Sequence, residues 1–358
     1  MEQVSHMQKR TEIMRIAEKT ADDVFKKAGE FLREGKTVAF PTETVYGLGA
    51  DALNPQAVKQ IFKAKGRPAD NPLIVHVSNQ SQCKQLVSTF TPIARKLAEC
   101  FWPGPLTIIL EKTDMVPYIT TGRLETVAIR MPANQIAQNI IEAACKPIAA
   151  PSANISGRPS PTTAFHVEED LKGRIDAIVD GGEVEIGVES TVVDARGEVP
   201  VILRPGKISA EDIQQCTNSE VCIGYAKMDH TKKPLSPGMK YTHYSPSAKV
   251  ILVQGKAKDV SAKIAYLVGK TKKEQERAGL LLTEEIQNDF LLEEKLSIGQ
   301  ATKPETAAKR IFAGLREMDS KGMDLIIVDG SFTEKGIGTA VLERLQKAAD
   351  MIITTPRM

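Results

Sequence analysis

Apolar residues recur at helical or strand spacing through most of the chain, and polar segments separate them. In residues 22–34 the apolar side chains share one helical face, and Gly35 follows, which predicts a helix capped by Thr20. Residues 37–40 then form a short apolar strand. Because Pro41 lacks the backbone N–H that a central strand needs, we expect the chain to leave the sheet there and enter a polar loop.

A second helix follows this loop and ends in a charged turn. Asn54 and Pro55 have the residue types of an N-cap and a first helical position, and Gly66 suits the left-handed position that ends a helix. Lysines in a last turn are favoured by the helix dipole, so a solvated cap and a basic binding site explain the turn equally well. The strand at residues 73–77 returns the chain to the sheet.

The remaining pattern predicts two α/β domains. In the first, further helices are expected at residues 81–88, 92–100 and 134–145, with strands at 106–110, 126–131, 147–150, 175–179, 189–193 and 201–203. In the second, strands are expected at residues 250–253, 279–282, 295–298, 325–328 and 351–354, with a helix at 304–318. We divide the chain into an N-terminal extension, a first domain, a linker and a second domain, at residues 1–20, 21–208, 209–247 and 248–358.

Composition narrows the class of protein. The 358 residues are 42% hydrophobic and 26% charged with a formal net charge of +2, which is typical of a globular protein and disfavours one that coats nucleic acid. The five cysteines form no CxxC pair and have no histidine at metal-ligand spacing, so reduced thiols are expected. Because no apolar run reaches membrane-spanning length, we expect a soluble, cytoplasmic protein.

Polar, basic and glycine residues collect where predicted strands end. They lie in PTETVYGLG at residues 41–49, in KGRPADN at 65–71, which follows a predicted helix, and in PSANISGRPSPT at 151–162. Ser190 lies in the strand predicted at 189–193, and Arg204 directly follows the strand predicted at 201–203. Strand ends of an α/β sheet often bind ligands, although a polar turn that caps a helix explains the third segment as well. Cations, hydroxyls and amides without a nucleophilic triad or a metal-ligand cluster suit a site that positions anionic substrates.

Some side chains allow two interpretations from the residues alone. We interpret Trp102 as a core anchor and not as a substrate platform. Arg130, inside a predicted strand, either covers a surface or points into a polar site. The glycine-rich helix entry at residues 336–338 either binds an anion or packs tightly. Residues 236–246, SPGMKYTHYSP, contain more aromatic and polar side chains than a flexible tether requires.

The polar segments resemble the threonylcarbamoyl-AMP synthase family (Sua5/YrdC/YwlC) in its long, two-domain form. The shared motifs are PTETVYGLGADA, KGRPADNPLIVH, PSANISGRPSPT and SPGM-x-Y-x-HY. The resemblance implies an α/β fold with a twisted mixed-sheet, YrdC-like catalytic domain and a smaller Rossmann-like α/β C-terminal domain. It also implies that Arg130 lies in the substrate pocket and that residues 236–246 close over the nucleotide as a lid.

The resemblance implies an enzyme, a nucleotidyltransferase. L-threonine and bicarbonate or carbon dioxide form a carbamate, which attacks the α-phosphorus of ATP to give L-threonylcarbamoyl-AMP and pyrophosphate. Mg²⁺ is expected mainly on the ATP phosphates, and its protein ligands stay unknown. The implied partners are threonylcarbamoyl transferase proteins that use the product to modify tRNA at position 37, and a weak contact with tRNA is also expected.

Family motifs assign site residues to positions in this chain. Lys65 and Arg67 are expected to be catalytic, and Arg130 is expected to pair with the threonine carboxylate. The implied ATP-binding residues are Arg67, Asn71, Thr126, Ser152, Asn154, Ser160, Arg204, His243 and Tyr244. The implied threonine-binding residues are Thr44, His76, Arg130, the backbone of Ala150, and Ser190. No catalytic residue is assigned to the second domain.

Two other functions stay open at this point. An RNA-binding module without adenylate chemistry would use the cations near residues 63–67, although the near-neutral net charge and the absence of a basic, aromatic stripe count against it. A carbamoyltransferase that acts through a carbamoyl-adenylate would resemble a related domain in hydrogenase-maturation enzymes. The zinc-finger-like and acylphosphatase-like regions of those enzymes have no counterpart here.

Overall fold

The structure, a computed structural model, describes residues 9–224 and 244–355. Two α/β units occupy these ranges. The strands of the first are β1 (Glu12–Arg15), β2 (Val38–Pro41), β3 (Tyr46–Asp51), β4 (Ile74–His76), β5 (Leu106–Glu111), β6 (Thr126–Arg130), β7 (Ile148–Ala149), β8 (Ala177–Asp180), β9 (Thr191–Asp194), β10 (Val201–Arg204) and β11 (Cys222–Ile223). Its helices are α1 (Ala21–Arg33), α2 (Pro55–Lys65), α3 (Gln80–Leu86), α4 (Pro92–Phe101), α5 (Gln135–Ala144), α6 (Ala164–Leu171) and α7 (Ala210–Thr217).

The strands of the first unit form one mixed sheet, in the order β1-β8-β2-β3-β7-β4-β6-β5-β9-β10-β11. Parallel and antiparallel pairs alternate irregularly across it, as in β4 beside β6 and β6 beside β5. Helix α2 begins as expected, since the Asn54 side chain accepts hydrogen bonds from the first turn and Gly66 ends the helix at a φ of 61°. The predicted mixed-sheet fold is confirmed.

The segment interpreted as a polar loop after Pro41 is instead a hairpin. Strand β3 pairs antiparallel with β2, and the turn closes where the N–H and the hydroxyl of Thr42 both donate to the carbonyl oxygen of Val45. Gly49 lies inside β3, where an added Cβ would lie 2.6 Å from the ring of Phe40. The chain therefore re-enters the sheet at once. The polar residues of the turn lie at the end of the β2–β3 hairpin.

The N-terminal segment differs from the expectation in two respects. Residues 12–15 form β1, which pairs with β8 and extends the sheet at its edge. This strand is too short, and too rich in polar residues, for its sequence pattern to indicate it. Thr20 precedes α1 as predicted, but its hydroxyl contacts the carbonyl oxygen of Ala17 and does not cap the helix.

The second unit is a parallel α/β layer domain, as predicted. Its elements are β12 (Lys249–Gln254), α8 (Ala257–Glu274), β13 (Ala278–Leu282), β14 (Lys295–Ser297), α9 (Pro304–Ser320), β15 (Leu325–Gly330), α10 (Ile337–Ala348) and β16 (Met351–Thr354). The strand order is β14-β13-β15-β12-β16, and α8 packs on the opposite face from α9 and α10. At the glycine-rich entry of α10, a Cβ on Gly338 would lie 1.9 Å from the Thr333 carbonyl oxygen, which favours the tight-packing interpretation.

The two units share a buried contact. Val45 and Val188 of the first unit belong to the same apolar cluster as Phe312 on α9. Gly187 precedes Val188 and has a φ of 91°. It approaches α9 so closely that an added Cβ would lie 2.3 Å from the carbonyl oxygen of Ala308. The second unit therefore packs directly against the β2–β3 turn and the segment before β9, which both carry predicted site residues.

One prediction about the cysteines is wrong. Cys100 at the end of α4 and Cys216 at the end of α7 form a disulfide, although 116 residues separate them. The two helices pack side by side and bring the Cα atoms to 6.4 Å. Sequence spacing does not reveal such a pair, because the contact arises only when α7 folds back onto α4. Cys83, Cys145 and Cys222 are free thiols, as expected.

Candidate active site

A cleft of about 720 Å³ opens where the hairpin turn, the ends of several strands and the loop at residues 151–162 converge. The predicted site residues that line it are Thr44, Lys65, Arg67, His76, Arg130, Ala150, Ser152, Asn154, Ser160, Ser190, Arg204 and Tyr244. The sequence motifs, which lie far apart in the chain, therefore form one concave surface.

Lys65 connects the end of α2 to the 151–162 loop. Its side chain is buried, and Nζ donates to the carbonyl oxygens of Ser152 and Asn154 at 2.5 and 2.6 Å. Burial, and then the neighbouring Arg67, hold the pKa of Lys65 well below its usual range. Lys65 thus fixes the loop, and it is one of the residues that line the cleft.

Hydrogen bonds inside the 151–162 loop orient its polar side chains. The hydroxyl of Ser152 donates to Oδ1 of Asn154 at 2.6 Å, while the Asn154 amide donates to the carbonyl oxygens of Ile155 and Arg158. An N–H or hydroxyl that is already committed cannot also donate to a ligand. Ser152 therefore offers its oxygen to the cleft as a hydrogen-bond acceptor.

A buried ion pair holds Arg130, another residue that lines the cleft. Arg130 lies at the end of β6, 2.6 Å from a carboxylate oxygen of Glu43, and its Nη1 donates to the Thr44 hydroxyl at 2.9 Å. Burial raises the pKa of Glu43, but Arg130 more than offsets this effect, so the carboxyl stays ionised with a lowered pKa. Arg130 is buried and lines the cleft, so it does not cover an exposed surface.

His76 lies beside this pair at the end of β4, in register with Arg130. Burial, and then the nearby positive charge of Arg130, lower the pKa of His76 to about 3. Its imidazole is therefore neutral near pH 7. Within the described residues its Nδ1 is buried and makes no hydrogen bond, which leaves a polar atom for a ligand to satisfy.

Ser190 and Arg204 form the third wall. Arg204 donates through Nε to the Ser190 carbonyl oxygen and through Nη2 to the Ser190 hydroxyl, both at 3.1 Å. Next to them Glu189 is buried, and its Oε1 accepts a hydrogen bond from Ser160 at 2.6 Å. This wall therefore joins the loop at residues 151–162 to the strands β9 and β10.

The charges that line the cleft are mostly positive. Among the described residues that line it, the basic ones are Lys65, Arg67, Arg130, Arg158 and Arg204, and the one carboxylate is Glu189. Cations placed at partly buried positions attract anions more strongly than cations in open solvent do, because screening is weaker there. The arrangement suits a ligand that carries several negative charges.

Two of the predicted site residues, Asn71 and Thr126, are not among the described residues that line the cleft. Asn71 is buried near Arg67, and its Oδ1 has no hydrogen-bond partner in the described part of the chain. Thr126 begins β6, so strand geometry places it about 13 Å from Arg130 at the other end. His243 lies outside the described residues. The lid predicted at residues 236–246 is also outside them, apart from its last three residues.

Some predictions about aromatic residues can be compared directly. Tyr244 is buried in the cleft wall and stacks on Phe312, with 5.0 Å between ring centroids. Trp102 packs against the main core and donates its indole N–H to the Leu106 carbonyl oxygen. It does not line the cleft, which supports its interpretation as a core anchor.

Sequence reasoning missed Glu189 and Arg344 as site residues and gave Glu43 no role of its own. Glu43 stands in the PTET motif, so its position next to Thr44 was a usable signal. Glu189 and Arg344 had no such signal. They are 155 residues apart and form an ion pair at 2.9 Å only because the two units pack together.

Family models match both units. The Sua5/YciO/YrdC model, described as "Telomere recombination", matches residues 30–206, and the model "Threonylcarbamoyl-AMP synthase, C-terminal domain" matches residues 208–350. A threonylcarbamoyl-AMP synthase of Pyrococcus abyssi is 48% identical over 95% of this chain and 98% of its own length. The chain belongs to the threonylcarbamoyl-AMP synthase family.

Other members of the family support this assignment. A threonylcarbamoyl-AMP synthase of Bacillus subtilis is 46% identical over 92% of this chain and 94% of its own length. The crystal structure of P. abyssi Sua5 complexed with L-threonine matches with a TM-score of 0.91 and 47% identity, and the match covers 97% of this chain and all of that one. The two-domain organisation is thus shared with the long members of the family.

Two general properties of the described residues complete the description. No helix in them combines the length and the apolar character that crossing a membrane requires. In the same ranges, His, Cys, Asp and Glu side chains do not gather in groups of three or more that would hold a metal ion.

Proposed function

We propose that this chain synthesises L-threonylcarbamoyl-AMP and pyrophosphate from L-threonine, bicarbonate or carbon dioxide, and ATP. One observation carries the proposal. Arg130 and His76 line the same cleft as the cations Arg67 and Arg204. A threonine-derived carbamate at one end would lie beside a phosphate chain at the other. Membership of the family supports the same reaction.

The threonine end of the cleft would use Arg130 to bind the substrate carboxylate. Glu43 and Thr44 already hold the guanidinium in place, so little side-chain entropy remains to be lost on binding. The neutral imidazole of His76 would hydrogen-bond the threonine without adding charge. Contacts with the methyl group would distinguish threonine from serine. One such group contributes about 1–3 kcal/mol to the difference in binding free energy.

The nucleotide end would neutralise and orient the phosphates. A carbamate oxygen forms a bond to the α-phosphorus, and the bond from that phosphorus to the bridging oxygen breaks as pyrophosphate leaves with the electron pair. The carbamate brings its own nucleophilic oxygen, so no side chain has to attack. Arg67, Arg204 and Lys65 would stabilise the charge that develops on the phosphate oxygens.

Mg²⁺ would enter the cleft as part of the substrate, bound to the ATP phosphates. Glu189, the carboxylate among the lining residues, is already bonded to Ser160 and Arg344. The cleft residues described here therefore supply no carboxylate set for a separate Mg²⁺ site. Charge neutralisation by the protein would come from arginine and lysine.

The product would be a substrate for a second reaction. A threonylcarbamoyl-adenylate is a mixed anhydride, which readily transfers its acyl group, so we propose transferase partners that modify tRNA at position 37. A cytoplasmic location fits this use of the product. Weak contact between this chain and tRNA is part of the same proposal.

The test is pyrophosphate release from ATP with Mg²⁺, in reactions that omit threonine or bicarbonate in turn. We expect release only when both are present, and slower release when serine replaces threonine. Folded protein that releases no pyrophosphate in the complete mixture would contradict the proposal. A salt-dependent titration with tRNA would then test the RNA-binding alternative.

A further inference from the structure

A buried carboxylate links the second domain to the predicted nucleotide site. Oε1 of Glu189 accepts the Ser160 hydroxyl at 2.6 Å, and Oε2 accepts Nε–H of Arg344 at 2.9 Å. Burial raises the pKa of Glu189, but Arg344 and Arg204 oppose this effect and lower the pKa to about 2. The carboxylate is therefore ionised under ordinary conditions.

Arg344 lies on α10 of the second domain, and its side chain is fully buried. Besides Glu189, its guanidinium donates through Nη2 to the carbonyl oxygen of Pro205 at 3.0 Å, directly after Arg204 in the chain. The guanidinium carbon also lies 5.8 Å from the centroid of the Tyr244 ring. One side chain of the second domain thus contacts three separate parts of the wall around the cleft.

These contacts determine what Ser160 can offer a ligand. Because an ionised carboxylate only accepts hydrogen bonds, the Ser160 proton is committed to Glu189 and the serine oxygen faces the cleft as an acceptor. It can accept from a ribose hydroxyl or from the adenine amino group, but it cannot donate to a phosphate. Without Arg344, the buried carboxylate would lose its strongest partner and either take up a proton or turn away.

We propose that Arg344 is a positioning residue for the nucleotide. It holds Glu189, and through it Ser160, and it holds the Pro205 carbonyl group next to Arg204. ATP affinity therefore depends on a side chain of the second domain, to which sequence reasoning assigned no role in the site. This inference rests on the proposed function, because it takes ATP as the ligand of this wall.

The experiment compares Arg344→Gln and Arg344→Lys with the wild-type chain. Isothermal titration calorimetry with Mg²⁺ and α,β-methylene-ATP, a non-hydrolysable analogue, measures nucleotide affinity, and a separate titration measures threonine affinity. We expect Arg344→Gln to weaken the analogue at least about tenfold, the loss typical of a buried charged contact. Threonine affinity should change less than about threefold, because Arg130 and Thr44 are held independently of Arg344.

Two further variants separate positioning from support of the fold. Arg344→Lys keeps a charge near Glu189 and should recover part of the lost ATP affinity. Lys309→Gln is the matched control, because Lys309 forms an exposed ion pair with Glu183 across the same domain contact at 3.5 Å. It should leave both affinities unchanged, since exposed pairs contribute little.

Each outcome decides between the alternatives. Folded Arg344→Gln protein with wild-type affinity for the analogue would overturn the inference. An equal loss of affinity for the analogue and for threonine, with no recovery in Arg344→Lys, would overturn it as well. If Arg344→Gln does not fold, Glu189→Gln breaks the same connection from the first domain, and unchanged analogue affinity there would overturn it. Wild-type protein that binds no analogue would reject the proposed function itself, whereas normal pyrophosphate release by every variant would reject only the positioning role.

Discussion

Replacement of Arg130 by lysine is the most informative perturbation of the threonine end. The guanidinium contacts Glu43, Thr44 and the carbonyl oxygen of Gly104, and its planar fork can also bind a carboxylate. Lysine keeps a positive charge for Glu43 but loses this geometry. We therefore expect the chain to fold and to bind threonine weakly.

The size of the effect follows from the contacts that lysine cannot make. A hydrogen bond to a charged group contributes about 1.5–3 kcal/mol, so the loss of one bond to the substrate carboxylate should cost about 2 kcal/mol. That free energy corresponds to an affinity about 30-fold lower. Affinity for α,β-methylene-ATP should stay within about threefold, because the phosphate-facing cations are unchanged.

Calorimetric titration of threonine into Arg130→Lys protein measures this loss directly. Arg196→Lys is the matched control, since Arg196 is exposed and pairs with Asp194 outside the cleft. Far-ultraviolet circular dichroism of each variant establishes that the fold is intact. Threonine affinity within about threefold of wild type, in folded Arg130→Lys protein, would refute the assignment of Arg130 to the substrate carboxylate.

Three other predictions concern the nucleotide end, the domain contact and the buried histidine. Arg67→Gln should raise the KM for ATP at least about tenfold and leave the KM for threonine unchanged, because Arg67 lines the cleft and is proposed to bind the ATP phosphates; equal increases in both KM values in steady-state kinetics would contradict this prediction. Arg316→Leu should lower the free energy of unfolding by about 1.5–3 kcal/mol in urea, because the buried Asp170 loses one of its two arginine partners, at 2.7 Å, and keeps Arg158 at 2.6 Å; a loss below about 1 kcal/mol would show that the pair is dispensable. The unfolded His76 imidazole, with a pKa of 6.5, binds a proton that the folded one, with a pKa of about 3, does not, so stability should fall as the pH drops below 6.5. The loss attributable to His76 should reach about 2 kcal/mol at pH 5, and His76→Gln should remove that part of the pH dependence; an unchanged pH dependence would contradict the buried neutral state.

Local patterns predicted most of the secondary structure, because burial of one face enforces a helical or strand period. Helix α2 is the clearest case, with its cap at Asn54 and its end at Gly66 both read correctly from residue type. Strand β3 was missed because YGLGAD has two glycines and no apolar alternation. Its stability comes from pairing with β2 and from close packing on Phe40, which no local pattern shows.

The candidate site likewise contains residues that the sequence indicated and residues that it did not. The family motifs indicated many of the side chains that line the cleft, including Lys65 at the end of α2 and Arg130 at the end of β6. The partners that hold these groups come from elsewhere in the chain. Glu189 with Arg344, and Cys100 with Cys216, meet only after the elements have packed, so spacing along the sequence could not pair them.

The central claim is that a carbon atom from bicarbonate, one threonine and AMP are joined in this cleft. Mass spectrometry of a reaction with ¹³C-bicarbonate, threonine, ATP and Mg²⁺ tests it most directly. We expect an adenylate whose mass matches threonylcarbamoyl-AMP with one labelled carbon, formed by wild-type protein and strongly reduced in Arg130→Lys. AMP and pyrophosphate without any labelled adenylate, or a labelled adenylate that lacks threonine, would contradict the claim.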